Sequence, residues 1–125
     1  MKKVISTNSA PAAIGPYSQA VEANGMLFLS GMLPIDPSTG NIVPGGVKEQ
    51  TFRIFDNIEA VLTAAGAGMD NIVKTTVFLE DMSLFGEMNE VYATRFTDAF
   101  PARSAFAVKA LPKNALVEIE VIATK

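Results

Sequence analysis

Residues 47–81 read VKEQTFRIFDNIEAVLTAAGAGMDNIVKTTVFLED and join a helical pattern directly to a strand pattern. In the first half, apolar side chains recur with the 3.6-residue period of one helix face, and Gly66 ends the pattern. This stripe consists of Val47, Thr51, Ile54, Phe55, Ile58, Val61, Leu62 and Ala65. From Asn71 to Asp81 β-branched residues dominate, which is typical of a buried strand. Together the two halves predict a helix packed against a sheet.

On the N-terminal side, a β-hairpin is predicted to precede this helix. Two short strand patterns, at residues 18–23 and 26–30, are separated by Asn24-Gly25. This dipeptide favours a type I′ turn, because both of its residues tolerate a positive φ. Closely spaced prolines and glycines predict a loop over residues 33–46, with a tight turn at residues 36–40.

On the C-terminal side, the sequence predicts a second helix and then two extended segments. The apolar stripe of the helix consists of Phe85, Met88, Tyr92, Phe96 and Ala99. Asp81 or Ser83 is its candidate N-cap, and Phe100-Pro101 marks its end. Residues 103–108 are predicted to be extended, residues 111–114 to form a turn, and residues 116–123 to form the last strand.

The predicted order of elements is strand, strand, strand, helix, strand, helix, strand, strand, within one domain spanning residues 1–125. This order favours an α+β fold in which both helices lie on one face of a single sheet. No element of the chain is left to cover the other face. Because 49% of the residues are hydrophobic, we expect another subunit to cover it, in preference to a polar, solvated face.

The composition removes several common catalytic side chains. The chain contains no histidine and no cysteine, which excludes Ser-His and Cys-His dyads, thiolate nucleophiles and disulfides. The usual zinc ligands are missing too, and no phosphate-binding glycine loop occurs. Catalysis must therefore use carboxylates, Arg, Lys, Tyr, hydroxyl or backbone groups, and we expect neither a metal nor another cofactor.

Charge and hydropathy restrict the partners. The net charge of −3 disfavours a nucleic-acid-binding module, whose surface would be basic. No apolar run approaches the roughly 18 residues that a membrane-spanning helix needs. The first residues lack the apolar segment of a secretory signal. We therefore expect a cytoplasmic protein that acts on a small molecule.

Two charged residues near the C-terminus are candidates for chemistry. Arg103 lies among small and apolar residues in PARSAF, residues 101–106, which suits a guanidinium that binds a carboxylate through two parallel hydrogen bonds. Glu118 lies between Val117 and Ile119, which favours a carboxyl group of raised pKa that acts as a general acid–base. For either residue alone, an ordinary solvent-facing charge is the competing interpretation.

Weaker candidates lie elsewhere in the chain. Ser30-Gly31 ends a predicted strand, where glycine allows a ligand close to the backbone or simply makes a turn. Asn89 lies amid the apolar positions of the second helix, as a ligand contact or as a satisfied polar side chain. Tyr17 follows Gly15-Pro16 and forms either a pocket wall or part of the core.

Five blocks of sequence, taken together, resemble the RidA (YjgF) family. They are residues 10–19 (APAAIGPYSQ), 29–31 (LSG), 73–78 (VKTTVF), 100–104 (FPARS) and 111–120 (LPKNALVEIE). The blocks follow the order and spacing of the family over essentially the whole chain. Their joint occurrence is far more specific than any one block.

The resemblance implies a chorismate mutase-like fold with a six-stranded mixed sheet, in which the last strand lies beside the third, and a homotrimer with clefts between subunits. It implies hydrolytic deamination of 2-iminobutanoate and 2-iminopropanoate to 2-oxo acids and ammonia, without a cofactor. By position, Arg103 would clamp the substrate carboxylate and Glu118 would orient or activate water. The other substrate-binding positions would be Tyr17, Ser30, Gly31, Asn89 and Ala105.

Two positions depart from the family pattern. Ala105 stands where cysteine is common, and Met32 stands where glutamine is common. Alanine retains a backbone N–H but no thiol, whereas methionine replaces a polar group by an apolar one. Neither change alters the roles implied for Arg103 and Glu118.

Two other functions stay open from the sequence. The same pocket could serve a non-catalytic sensor of 2-oxo or 2-imino acids, because a carboxylate clamp suits binding and turnover equally. A ribonuclease or translation inhibitor is the remaining alternative, which the acidic charge disfavours.

Overall fold

Eight strands and two helices follow one another in the computed structural model, which describes residues 1–125. The helices are α1 (Val47–Ala64) and α2 (Phe85–Thr94). The strands are β1 (Lys3–Ile5), β2 (Ala20–Ala23), β3 (Met26–Leu29), β4 (Ile35–Asp36), β5 (Asn41–Ile42), β6 (Ile72–Leu79), β7 (Ala102–Ala107) and β8 (Val117–Thr124). Neither helix is both long enough and apolar enough to cross a membrane.

Six of the strands form one mixed sheet in the order β1-β2-β3-β8-β6-β7. The β6–β7 pair is parallel, and the other neighbours are antiparallel. The last strand lies between β3 and β6 and does not pair with β7, the strand before it. The prediction of an α+β fold with a six-stranded mixed sheet is confirmed.

The hairpin β2–β3 has the turn that Asn24-Gly25 predicts. Asn24 has a φ of 51° and Gly25 a φ of 73°. Two consecutive positive φ angles are what a type I′ turn requires. The turn fixes the register of β2 on β3, and thereby the position at which β3 leads into Ser30-Gly31.

Helix α1 supplies most of the apolar surface that packs on the sheet. Its inner stripe is fully buried at Ile54, Phe55, Ile58, Val61 and Leu62. At its start the backbone N–H of Gly46 donates a hydrogen bond to the Glu49 carboxylate at 2.8 Å. At its end Gly66 has a φ of 81°, which stops the helix where the sequence predicts.

Strand alternation divides the sheet into a helix-covered face and an open face. On the helix-covered face, Val77, Val117 and Ile119 are fully buried in the core with α1. The opposite face, called the open face below, carries Val4, Val21, Phe28, Phe78, Phe106, Glu118, Glu120 and Ile122. Phe28 and Phe106 are 42% and 46% exposed there. Such exposure of large apolar side chains marks an interaction surface.

The second helix is shorter than predicted. It ends at Thr94, and the prediction that it continues to Phe100-Pro101 is wrong. Arg95 is the C-cap, and its guanidinium reaches α1, where it donates to the Asp56 carboxylate at 2.9 Å and to the Phe52 carbonyl at 3.1 Å. Phe96 lies beyond the end of the helix but still packs edge-on against Phe55. Its place in the apolar pattern therefore reflects burial in the core and not helical backbone.

Of the two predicted N-caps, Asp81 accepts the Ser83 N–H at 2.8 Å, at a 3₁₀ turn that leads into α2.

The predicted loop over residues 33–46 contains a small ribbon that the sequence pattern missed. Strands β4 and β5 pair antiparallel over only two residues each. They are joined by the predicted tight turn, in which Gly40 N–H donates to the Asp36 carbonyl at 2.8 Å. Two-residue strands are too short to produce a detectable alternation, which explains the omission.

We expect the packing of α1 to dominate stability. Phe55→Ala removes a fully buried ring, and it is expected to lower the free energy of unfolding by about 3–5 kcal/mol. Phe52→Ala is the matched control on the same helix, because that ring is 53% exposed and contacts mainly the Arg95 guanidinium; its expected cost is below about 1 kcal/mol. Urea unfolding of both variants at one protein concentration measures the difference, and equal losses would contradict this description of the core.

Candidate active site

Arg103 and Glu118 lie on opposite faces of the sheet. Strand register places Arg103 beside Thr75 and Glu118 beside Phe78, both on β6. Thr75 and Phe78 are an odd number of residues apart, so their side chains point to opposite faces. Thr75 is fully buried on the helix-covered face, and Arg103 lies on that side of the edge strand β7. Glu118 lies on the open face.

The guanidinium of Arg103 is held in place by α2. Its Nη1 donates to the Asn89 Oδ1 at 2.6 Å. It also lies over the rings of Tyr92 and Phe85, at 4.7 Å and 5.3 Å from the ring centroids. Two aromatic faces and one amide fix the plane of a group that carries five donors, which leaves N–H groups free for a ligand.

Arg103 makes no ion pair within the chain, in contrast to Arg95. Arg95 is only 11% exposed and binds both Asp56 and Glu59. The four ion pairs of the protein do not include Arg103. A fixed, exposed guanidinium without a carboxylate partner is suited to bind the carboxylate of a small molecule in bidentate fashion.

A buried hydrogen bond supports this half of the site. The hydroxyl groups of Tyr92 and Thr75 lie 2.8 Å apart. Burial raises the pKa of Tyr92, so its ring stays uncharged beneath the guanidinium. Ala105 is in register with the buried Val77 and therefore lies on the same face as Arg103. The structure thus brings Arg103, Asn89 and Ala105 to one place.

The other half of the site is built around a bulge after β3. Phe28 pairs with Ile122 and Met32 pairs with Ile119, so four steps along one strand match three along the other. The extra residue lies within Ser30-Gly31, where a bulge re-aims the backbone, as bulges next to active sites commonly do. A β-carbon on Gly31 would overlap the carboxylate of Glu118. Glycine is therefore required for Glu118 to occupy this position.

Glu118 lies in a cleft of about 660 Å³. Among the residues that line it are the predicted Tyr17, Ser30 and Gly31. Tyr17 is 53% exposed, and its hydroxyl accepts the Ile14 N–H at 3.4 Å. The Ser30 hydroxyl donates to the Ser18 carbonyl at 2.6 Å, which ties the bulge to the loop that carries Tyr17. The remaining walls are mainly apolar: Pro11, Ala12, Ile14, Met32, Leu33, Ile35, Pro37 and Pro112.

The protonation of Glu118 is set by its surroundings. Burial raises the pKa of its carboxyl group, and the negative charge of Glu120 on the same face raises it further. A carboxyl group with a raised pKa exchanges protons nearer to neutral pH, as a general acid–base must. No group of three or more His, Cys, Asp or Glu side chains is placed to hold a metal ion.

Sequence reasoning missed several residues of the cleft. Gln19 lies in a quoted block without an assigned role, yet its buried amide holds the Thr7 and Pro11 backbone beside the cleft. Lys113 also lies in a quoted block; it lines the cleft and donates to the Gly40 carbonyl at 3.3 Å. Met32, which the sequence marks only as a departure from the family pattern, also lines the cleft and is 6% exposed. Only the block pattern could have indicated Gln19 and Lys113, because neither role has a periodic signal.

The seven predicted site residues therefore form two groups on opposite sides of the sheet. One group consists of Arg103, Asn89 and Ala105, and the other of Tyr17, Ser30, Gly31 and Glu118. The two groups of one chain cannot face a common small ligand, because the sheet separates them. A ligand can contact both groups only where two chains meet.

Comparisons with known proteins agree with this fold. A protein from Mus musculus named 2-iminobutanoate/2-iminopropanoate deaminase is 51% identical over 100% of this chain and 93% of its own length. A solved structure of a Yersinia pestis protein of unknown function, from the conserved Rid protein family, is 51% identical with a TM-score of 0.98, and 100% of each chain is covered. Escherichia coli TdcF, solved with bound serine, is 42% identical with a TM-score of 0.94, and 98% of each chain is covered.

Residues 7–125 match the family described as Endoribonuclease L-PSP, and this match agrees with the five sequence blocks and with the Rid protein family of the Yersinia pestis structure. The chain therefore belongs to the Endoribonuclease L-PSP family, the family that the sequence resemblance identifies as RidA (YjgF).

Proposed function

We propose that this protein is a hydrolase that deaminates 2-imino acids, with 2-iminobutanoate and 2-iminopropanoate as substrates. The observation that carries the proposal is the fixed guanidinium of Arg103, which has no carboxylate partner in its own chain. The mouse relative is named for this reaction, and the structure named for bound serine contains a small amino acid with the same carboxylate group.

In the proposed mechanism, Arg103 binds the substrate carboxylate and thereby fixes the C=N bond. Glu118 takes a proton from a water molecule as the water oxygen bonds to the imine carbon. Glu118 returns this proton to the nitrogen, which gives a carbinolamine. The hydroxyl proton of the carbinolamine then moves through Glu118 to the nitrogen while the C–N bond breaks and the C=O bond forms, and a 2-oxo acid and ammonia leave. Each step needs positioning and one proton shuttle, so a site without histidine or cysteine suffices.

We also propose that copies of the chain assemble, because the two halves of the site lie on opposite faces of the sheet. A homotrimer in which the open face of each chain packs on a neighbour would bury Phe28 and Phe106 and bring Arg103 of one chain to the Glu118 cleft of the next. Closed cyclic symmetry would create one such cleft at each interface. The cytoplasm stays the location that we propose.

The word endoribonuclease in the family description does not fit the charges of this cleft. RNA binding depends on neutralising phosphates with cations, whereas the open face presents both Glu118 and Glu120. The chain also carries a net charge of −3. We therefore do not propose RNA as its substrate.

A coupled assay with a threonine dehydratase tests the reaction. We expect the protein to accelerate loss of the transient imine above its spontaneous hydrolysis. Arg103→Ala is expected to weaken 2-oxobutanoate binding and to lower kcat/KM by at least about 100-fold, since it removes two charge-assisted hydrogen bonds. Arg53→Ala, an arginine of α1 outside both halves of the site, is the control and should retain activity.

Three outcomes of this assay are distinct. Acceleration that depends on Arg103 supports the deaminase. No acceleration, with 2-oxobutanoate still bound in calorimetry, would replace it by the sensor function. Acceleration that persists in Arg103→Ala would refute the role of the clamp.

The pH dependence tests Glu118. Its raised pKa means that the active carboxylate form is lost as the pH falls through that value, so the acidic limb of kcat/KM should lie above the pKa of an ordinary glutamate. Glu120→Gln removes the neighbouring negative charge, lowers the pKa of Glu118, and should move this limb to lower pH. Glu118→Gln should slow hydrolysis by about 10²–10⁴-fold while 2-oxobutanoate still binds. An unmoved limb in Glu120→Gln would exclude Glu118 as the titrating group.

Mixing two inactive variants tests whether the site is shared between chains. Arg103→Ala and Glu118→Gln protomers, unfolded and refolded together, can form clefts that take an intact Arg103 from one chain and an intact Glu118 from another. Random mixing restores about one quarter of the clefts in a cyclic assembly, so activity should return to that order. Activity that does not exceed the sum of the separately refolded variants would contradict a shared site.

A further inference from the structure

Buried polar side chains are concentrated behind the two halves of the candidate site. The five buried polar residues are Gln19, Gln50, Thr51, Asn57 and Thr75. Thr75 supports Tyr92 beneath Arg103, and Gln19 holds the Thr7–Pro11 segment, as described above. Thr51 alone bonds only within its own helix, to the Val47 carbonyl at 2.7 Å. Four of the five therefore hold groups that belong to the site.

Asn57 holds a wall of the cleft from inside the core. It lies on α1, is fully buried, and is not among the residues that line the cleft. Its Nδ2 donates to the Ile35 carbonyl at 2.9 Å and to the Leu33 carbonyl at 3.3 Å. Leu33 and Ile35 themselves line the cleft that contains Glu118. We call residues 33–35 the ribbon wall, because they lead into β4 of the short ribbon.

The other amide of α1 acts in the same way on a second segment. Gln50 Oε1 accepts the Leu116 N–H at 2.9 Å, two residues before Glu118. Gln50 and Asn57 are seven residues apart, so they share one face of the helix. Together with Gln19, three buried carboxamides fix three separate segments that surround one cleft.

Asn57 is a poor choice for stability alone. Its Oδ1 is buried and has no hydrogen-bond partner. A buried acceptor without a partner carries a desolvation penalty, and such exceptions in native structures call for an explanation. A role in holding the ribbon wall explains why an amide occupies this core position: its Nδ2 supplies the hydrogen bonds to the Leu33 and Ile35 carbonyls that an apolar residue could not make.

We propose that Asn57 is a positioning residue that sets the width of the cleft through the ribbon wall; this inference rests on the proposed function. It acts on substrate and product binding and not on proton transfer, because Glu118 is held by β8 and by its own neighbours. Loss of Asn57 should therefore raise KM and leave kcat nearly unchanged.

The test compares Asn57→Leu with Thr51→Val, a buried polar-to-apolar change of similar size on the same helix. In Asn57→Leu we expect KM for the imine and Kd for 2-oxobutanoate to rise about tenfold, with kcat within about twofold of the wild type. Thr51→Val should leave KM and Kd unchanged, even if it lowers the melting temperature. A merely structural defect would reduce the folded fraction and hence the apparent kcat without changing KM.

Amide hydrogen exchange gives a second readout that needs no substrate. The Ile35 N–H, bonded to the Leu33 carbonyl, and the Val43 N–H, bonded to the Pro34 carbonyl, report on the ribbon wall. Both N–H groups should exchange faster in Asn57→Leu and at the wild-type rate in Thr51→Val.

Unchanged KM, Kd and exchange rates in Asn57→Leu, or equal changes in both variants, would overturn the inference. A wild type without deaminase activity would instead refute the proposed function, and Kd and exchange would still test Asn57.

Discussion

The central position of β8 is the constraint on which the rest of the structure depends. This strand is hydrogen-bonded to β3 on one edge and to β6 on the other, and its alternate residues Val117 and Ile119 are fully buried beneath α1. A slip of one residue would expose these apolar side chains and bury Glu118 and Glu120, so the register is strongly specified. The orientation of Glu118 towards the open face is therefore a consequence of core packing. The side-chain direction that the proposed chemistry requires of Glu118 is therefore set by the fold.

The same register, carried across β6 to the edge strand β7, places Arg103 on the opposite face and so separates the two charges of the site. Assembly and chemistry are then linked, because Phe106 and Glu118 lie on the face that a partner would cover. Covering that face removes water from Glu118 and favours its neutral form, while a guanidinium from the partner favours its charged form. In the proposed assembly, the balance between these two effects sets the pKa at which Glu118 exchanges protons. In an isolated chain neither effect of the partner operates, and only the burial of Glu118 by its own chain and the charge of Glu120 raise its pKa.

Strong local signals predicted the elements that position the site, whereas contacts between distant segments did not leave a sequence pattern. Asn24-Gly25 and the stripe of α1 could be recognised because backbone geometry and periodicity act over a few residues. The early end of α2 could not, since the apolar spacing that predicts a longer helix continues to Phe96, which packs against Phe55 of α1 from outside the helix. Of the candidate site, the sequence blocks suggested the candidate residues, but only the register shows that Arg103 and Glu118 occupy different faces. The role of Asn57 was hidden for the same reason, because its partners lie more than twenty residues earlier.

A site with neither histidine nor thiol needs another proton shuttle, and in the proposed mechanism the carboxyl group of Glu118 takes that role. Gly31 admits the carboxylate to a partly buried position, and Glu120 adds repulsion, so its pKa lies above that of an ordinary glutamate. Ala105 contributes only backbone groups on the Arg103 side, which leaves Glu118 as the one acid–base of the proposed mechanism. Met32 pairs with Ile119 and belongs to the buried core, so its side chain lies on the face of the sheet opposite Glu118. The raised pKa of Glu118 therefore comes from its own burial and from the charge of Glu120, and the departure at Met32 affects the core without changing the acid–base group.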